Sequence, residues 1–314
     1  MKLAHEFIKL PLHFDVSKMQ EELAKFPVHS WRGHHEGFSG NSAIPLISVN
    51  GQLNNDFKGE MLATDALKQS EYLQQVISSF NEVFGRSRLM KLDAGAKVPL
   101  HSDINYHWYK RVRIHIPIIT DPKVIFHCGD KNVHMAAGER WIFDTWKNHQ
   151  VDNDSTEDRI HLVIDTAGSS AFWQLIKQSF VPWLNKPEGS SKLLQYQAGF
   201  TPSILMEKHN APVVMGPGEL EFMISELKQE ISQVSSNNHN LAAQLFEVLE
   251  GFSQDWRRLW SLHGENKAGW DLYHQCRDNI FHQAKQSASQ LKISNGASAL
   301  DMLAHCIIVP SFNP

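Results

Sequence analysis

Three side chains in this sequence have the types and spacing to hold a metal ion. His101 and Asp103 flank Ser102 in Pro99-Leu100-His101-Ser102-Asp103. Residues two apart on a β-strand point to the same face, so an extended backbone sends this imidazole and this carboxylate to one point. The third ligand should be a histidine on a later strand, brought round as a barrel closes, and His149 lies 46 residues past Asp103. Two imidazoles and one carboxylate on one face of an ion leave its other positions open. That set suits iron(II) that must also take up oxygen and an organic co-substrate. The tripeptide alone is a weak signal. Its weight comes from the distal histidine, the strand-rich setting and an arginine that follows.

Arg159 opens Arg159-Ile160-His161-Leu162-Val163-Ile164-Asp165, which otherwise reads as a buried strand. A buried guanidinium is costly unless an anion pairs with it, and its planar fork grips a carboxylate at two points where lysine grips at one. Deep in a barrel mouth, Arg159 would face the remote carboxylate of 2-oxoglutarate. A second segment, Arg111-Val112-Arg113-Ile114-His115-Ile116-Pro117, alternates polar and apolar residues and puts Arg111, Arg113 and His115 on one face. With a metal site nearby, Arg113 and His115 are expected to look inward.

The elements that position these residues change character along the chain. A strand is expected near Phe7 to Leu12, then a helix capped by Asp15 with Val16, Met19, Leu23 and Phe26 on one face. Trp31 to Asn55 is loop-rich, interrupted by the apolar run Ile44 to Val49, and a helix is predicted from Tyr72 to Phe84. From Arg88 to Thr166 short β-prone segments alternate with turn residues, in the rhythm of a barrel or sandwich. Strands are expected near Arg88–Leu92, Arg111–Ile119, Lys123–His127, Asn132–Met135, Arg140–Phe143 and Arg159–Asp165. After Gly199-Phe200-Thr201-Pro202, helical stripes take over: Leu220 to Val234, Leu241 to Phe252, and Trp256 with Leu259 and Trp260. The expected division is 1–198, a catalytic domain, and 199–314, a helical one.

Composition bounds the rest. The 314 residues, 42% hydrophobic and 20% charged, suit a soluble globular chain of one or two domains. A net charge of −4 argues against a nucleic-acid binder working by bulk charge. Three cysteines without a CxxC pair argue against disulfides and thiolate zinc. The N-terminal residues lack the apolar stretch of a signal peptide, and no apolar run approaches the ~18 residues that span a bilayer. The expected compartment is the cytoplasm.

The matching segments, taken together, resemble the aspartyl/asparaginyl β-hydroxylase family of 2-oxoglutarate oxygenases. They are His101-Ser102-Asp103, Arg113-Ile114-His115, Gly138-Glu139-Arg140-Trp141-Ile142-Phe143-Asp144, His149 and Arg159 through Asp165. The resemblance also extends to bacterial free-proline cis-hydroxylases with the same core. It implies mixed α and β structure: a double-stranded β-helix (jelly-roll, cupin-like) core with flanking helices and a C-terminal all-α region. It implies iron(II) on His101, Asp103 and His149, and Arg159 on the far carboxylate of 2-oxoglutarate. Arg113 and His115 would lie near the carboxylate beside the keto group. With O2 as oxidant, the implied reaction is hydroxylation of an unactivated C–H of an amino acid, free or in a peptide. A serine that some members place on the strand before the metal motif has no counterpart at Leu89-Met90-Lys91.

Other residues weigh less. Asp144 and Asn148 are candidates to orient the ligand histidines, though Asp144 could equally cap a turn. Asn105 to Trp108 should sit at the barrel mouth, where they could touch substrate. His34 and His35 lie in a loop; His127 and His134 are read as structural or solvent-facing. Two competing readings remain. One is a cupin-like metalloprotein without oxygenase activity, such as an isomerase, which has no use for Arg159. The other is a non-catalytic binding protein on the same scaffold, which has no use for three intact ligands.

Overall fold

Arg159–Thr166 shows how this sequence builds a layered structure. Its alternate residues Ile160, Leu162 and Ile164 join one apolar cluster, Arg159, His161, Val163 and Asp165 point the other way, and all are buried. Such a strand needs cover on both faces. The computed structural model, which describes residues 1–33, 37–184 and 188–314, supplies it with helices on one side and a second sheet on the other. The expectation for His34 and His35 falls outside the described residues.

The chain begins with β1 (Phe7–Lys9), β2 (Leu12–Phe14), α1 (Val16–Leu23), β3 (Arg32–Gly33), β4 (Asn41–Val49) and β5 (Met61–Ala63). Helices α2 (Asp65–Lys68) and α3 (Glu71–Ser78) lead to β6 (Val83–Leu92) and β7 (Lys97–His101). After α4 (Tyr106–Tyr109) come β8 (Val112–Ile119), β9 (Val124–Cys128), β10 (Lys131–Val133), β11 (Trp141–Phe143), β12 (His149–Asn153) and β13 (Arg159–Thr166). Helix α5 (Ser170–Gln178), β14 (Lys192–Leu194) and β15 (Leu205–Met206) follow.

Strands β6 to β13 wind between two sheets. The larger contains the antiparallel run β11-β8-β13-β6, extended by β1 on one side and by β4 and β3 on the other. The smaller has the order β10-β9-β12-β7. This is the expected double-stranded β-helix. Phe7, Leu92, Val124, Phe126, Trp141, Phe143 and Val151 pack between the sheets. Met19, Val76, Ile77, Phe172 and Ile176 from α1, α3 and α5 cover the outer face.

Local chemistry explains where the elements depart from the sequence expectation. The first strand is two strands, because Pro11 between them has no N–H for a ladder. The helix predicted to Phe84 ends at Ser78; Asn81 takes a left-handed conformation (φ 52°), and Val83 and Phe84 already belong to β6. The Asp15 carboxylate caps α1 as expected, accepting from the Lys18 N–H at 3.0 Å.

Contacts divide the chain into two compact units, 1–103 with 110–210, and 104–109 with 211–314. The first holds both barrel sheets. The second contains α6 (Pro217–Ser232), α7 (His239–His263), α8 (Trp270–Gln290) and a π-helical turn, Leu303–Ile308. The two later apolar stripes turn out to lie on one 25-residue helix, α7, whose Leu245, Leu249, Phe252 and Trp256 are buried. Helix α8 buries only Tyr273, Ile280, Ala284 and Ala288, too few apolar positions to stand out in the sequence. No helix among the described residues is long and apolar enough to cross a membrane.

Arg111 does not share the inward face of β8. It precedes the strand and forks onto Glu207, Nε to Oε1 at 2.7 Å and Nη2 to Oε2 at 2.9 Å, with both side chains under 10% exposed. Removing one partner strands a buried charge. Glu207→Ala should therefore destabilise the barrel unit by about 3–5 kcal/mol, while Arg111→Met with Glu207→Leu should recover most of that. Urea unfolding followed by circular dichroism tests this, and an unchanged Glu207→Ala midpoint would refute it.

Candidate metal centre

Strands β7 and β12 are neighbours in the smaller sheet, and their register sets His101 opposite His149. Pro99 has no N–H to give to that ladder, and the pairing slips by one residue between His149 and Val151. Bulges of this kind re-aim side chains beside functional sites. Here the two imidazole centroids come within 4.2 Å. Asp103 lies two residues past the end of β7, not within the strand as simple alternation predicts. Its N–H donates to the Thr145 carbonyl at 2.9 Å, and its carboxylate reaches both rings: Oδ1 is 3.9 Å from His101 Nε2 and Oδ2 is 3.8 Å from His149 Nε2. One ligand atom from each of the three lies within 4.8 Å of the others, the only such metal-capable group among the described residues.

The ring orientations fit a metal. His101 Nδ1 is 2.7 Å from the Pro99 carbonyl and His149 Nδ1 is 2.9 Å from the Lys147 carbonyl. A carbonyl only accepts, so each Nδ1 carries the hydrogen and each Nε2 keeps its lone pair facing Asp103. Main-chain carbonyls thus do the orienting expected of Asp144 or Asn148. Asp144 caps its turn, accepting from the N–H groups of Leu3 at 3.1 Å and Trp146 at 3.0 Å. Asp103 and His149 are buried, while the His101 side chain is 34% exposed, which leaves the centre one open side.

Electrostatics favours a charged Asp103 carboxylate and a neutral His149 imidazole. Burial raises the Asp103 pKa, but Arg113, His149 and His101 together outweigh it and hold the group below the usual carboxylate range. Arg113 Nη2 is 3.0 Å from Asp103 Oδ2 and its Nε is 3.9 Å from Asp165. The first distance marks an ion pair out of hydrogen-bond alignment, since that same oxygen has no hydrogen-bond partner. Burial depresses His149 to about 4, against the pull of Asp103.

The inner face of the larger sheet carries the remaining polar groups. Arg113 and His115 do point inward from β8, with His115 buried. Arg159 is buried with its guanidinium 5.0 Å over the Phe126 ring and its Nε without a hydrogen-bond partner. Burial alone, with no carboxylate beside it, pulls its pKa down to about 9. Aromatic rings line the way from Arg159 to the metal centre: His161 stacks on Phe126 at 5.3 Å, His115 lies 5.0 Å from Phe143, and Phe143 lies 5.2 Å from His149. Neither ring nitrogen of His115 or His161 has a hydrogen-bond partner. Orphaned buried polar atoms on this scale call for a polar ligand.

Three inward groups escaped the sequence reading. Arg86 and Arg88 alternate on β6, and Asp165 is the next-to-last residue of β13; all are buried. The arginine alternation in Gly85-Arg86-Ser87-Arg88 was the available signal, hidden by running the preceding helix to Phe84. Arg86 donates to the Asn55 carbonyl at 3.2 Å. Arg88 lines a cavity of about 140 Å³ with Arg32, Pro45, Asn54 and Asn55. His127, expected to be structural, pairs with Asp152 at 3.2 Å on the outer side of the sheet.

The family model described as aspartyl/asparaginyl beta-hydroxylase matches residues 56–168. An L-proline cis-4-hydroxylase of Rhizobium meliloti (strain 1021) is 24% identical over 176 residues, which are 52% of this chain and 63% of that protein. Among solved structures, a 2OG-Fe(II) oxygenase family oxidoreductase from Burkholderia pseudomallei has 12% identity and a TM-score of 0.39, covering 52% of this chain and 85% of that one. A prolyl-4-hydroxylase from Pseudomonas putida has 14% identity and a TM-score of 0.35, covering 52% and 92%.

The buried neutral histidines make the metal-free protein acid-labile. Burial holds His115 and His161 well below 6.5 and His149 at about 4. Below pH 6.5 the unfolded chain binds protons that the folded chain does not, so stability falls as pH falls. The slope should reach up to about 1.4 kcal/mol per pH unit for each histidine. Melting curves between pH 7 and 4.5 should show it, and His161→Gln should flatten it; an identical slope in that variant would count against the burial argument.

Proposed function

We propose that this chain, whose residues 56–168 match the family model described as aspartyl/asparaginyl beta-hydroxylase, is an iron(II)- and 2-oxoglutarate-dependent oxygenase. Its reaction is hydroxylation of an unactivated C–H bond of an amino acid, free or in a peptide. The observation that carries the reading is the meeting of two imidazole Nε2 atoms and the Asp103 carboxylate, backed by a buried Arg159 that has no carboxylate beside it among the described residues. The proline-hydroxylase relative supports an amino acid as substrate. The chain covers 63% of that relative's length, so the identity of the amino acid is left to experiment. The reading assigns the catalytic region to 1–198 and a supporting role to the helical region, 199–314.

His101, Asp103 and His149 would hold the metal. When bound there, ferrous iron with O2 supplies the oxidising power that converts 2-oxoglutarate to succinate and carbon dioxide and puts a hydroxyl group on the substrate carbon. Arg159 binds the far carboxylate of the co-substrate by its fork, and the walls of His115, His161, Phe126 and Phe143 keep water out of the same slot. Both histidines are neutral, and each can offer an N–H to a carboxylate. Arg113 balances Asp103 and Asp165, lending positive charge near the second carboxylate of the keto acid.

Charge on the inner face also speaks for a substrate carboxylate. Arg86, Arg88, Arg113 and Arg159 place four guanidinium groups against the two carboxylates Asp103 and Asp165. Burial pulls Arg88 down to about 10, with Arg113 adding to the effect. An amino-acid carboxylate in the cavity of Arg88 and Arg32 would relieve that cost. The cupin-like alternative without a keto acid leaves Arg159 unexplained.

Anaerobic addition of iron(II) and 2-oxoglutarate should produce a weak visible absorption band, and oxygen with a panel of free amino acids should then produce succinate. His149→Ala should lose the band and the succinate; normal turnover in that variant would defeat the ligand assignment. Removal of a buried charge-assisted pair should make Arg159→Ala raise the KM for 2-oxoglutarate roughly 100-fold, with Arg159→Lys intermediate. Arg88→Ala should raise the KM for the amino acid and leave that for 2-oxoglutarate near the parent value, and the reverse pattern would reassign Arg88.

A further inference from the structure

His161 has no accessible surface, and neither of its ring nitrogens has a hydrogen-bond partner among the described residues. Its strand neighbours cannot supply one. Register sets it between Met90 of β6 and Pro117 of β8, the first a thioether and the second without a polar side-chain atom. No hydroxyl stands on the surrounding run of β6, Leu89-Met90-Lys91. The rings beside it are Phe126, stacked on it at 5.3 Å with 17° between the planes, and His115 at 5.9 Å, whose own nitrogens are also without partners. For packing alone a leucine or phenylalanine would serve better, because a buried polar atom left unbonded forfeits the hydrogen bond it made with water. The imidazole needs a polar partner that the surrounding side chains do not provide.

Position says what that partner is. Arg159 stands two residues back on the same inward face of β13, about 6.6 Å away along the strand. Both side chains lie against one ring, the guanidinium 5.0 Å and the imidazole 5.3 Å from the centre of Phe126. A carboxylate offers two oxygens and about four lone-pair directions, of which the fork of an arginine uses two. We propose that His161 is the second donor to the far carboxylate of 2-oxoglutarate, beside Arg159. Burial, helped by the nearby Arg159, His115 and His134, holds the ring neutral. One of its nitrogens therefore carries a hydrogen to donate, and no second cation is set beside the guanidinium. His115 is placed for the other end of the keto acid: its ring lies 5.0 Å from Phe143, which lies 5.2 Å from His149. This inference rests on the reading of the slot as the keto-acid site, and it divides the two orphaned histidines between the two carboxylates.

Anaerobic titration of the iron(II)-loaded full chain with 2-oxoglutarate, followed by the visible absorption band, reads binding without turnover. A hydrogen bond to a charged group corresponds to about 10–100-fold in affinity, and His161→Leu, which removes both nitrogens, should weaken 2-oxoglutarate by a factor in that range. His161→Gln keeps an N–H donor and should bind the keto acid more tightly than His161→Leu. Cobalt(II) affinity, read from visible d–d absorption without keto acid, should match the parent in both variants. Unchanged 2-oxoglutarate affinity in His161→Leu would overturn the proposal. So would a parallel fall in its cobalt affinity, which would mark a general disturbance of the barrel interior. If His161→Leu fails to fold, His161→Phe, which keeps a flat ring against Phe126, carries the same expectation. A parent protein that gives no band with 2-oxoglutarate would instead sink the oxygenase reading, and this inference with it.

Discussion

The pairing of β7 with β12 is the interaction on which the rest depends. It sets His101 across from His149 and brings two imidazoles to 4.2 Å in a setting where one of them is fully desolvated. Two rings so close repel if both are protonated. They coexist because carbonyls from their own strands tie down each Nδ1 hydrogen and because Asp103 turns its carboxylate toward both Nε2 atoms. Without a cation the site holds two lone pairs and an anion facing one another, an arrangement that a divalent ion stabilises directly. The slipped register at Pro99 is a small loss of ladder hydrogen bonding that this geometry requires.

A second constraint runs along the inner face of the larger sheet. Strands covered on both faces normally read as apolar throughout, yet β6, β8 and β13 send arginines, histidines and an aspartate inward. Outward-facing isoleucines and leucines of the same strands supply the packing that keeps the sheet together. The interior is therefore built as a place for anions, with the cost of buried guanidinium groups borne by the apolar layer outside. The gradient across it has a direction. Arg113 is paired with Asp103 and Asp165 beside the candidate metal centre, whereas Arg159 stands among aromatic rings with no acid partner among the described residues.

The helical unit is joined to the barrel unit by more than a single linker. The chain passes from one unit to the other after Asp103, after Tyr109 and after Asn210. The Arg111–Glu207 pair, within the barrel unit, ties together the residues that follow the second passage and precede the third.

The sequence by itself marked six of the barrel strands, the three donor side chains that the fold brings together and the buried Arg159, because each rests on local rules. Alternation fixes facing, side-chain chemistry fixes what a metal or a carboxylate will accept, and turn residues mark where strands end. It also marked Asp15 as a cap and the apolar stripes as core. Local rules fail where the answer depends on distant partners. Nothing near Arg111 announces that Glu207 will claim it, and nothing near Tyr106 shows that its hydroxyl will donate to Glu219 of α6. The carbonyls orienting His101 and His149 have no residue-type signature at all. Only the tertiary structure decided these points, since a hydrogen bond across a hundred residues is set by packing, and packing is the sum of contacts that no short window contains.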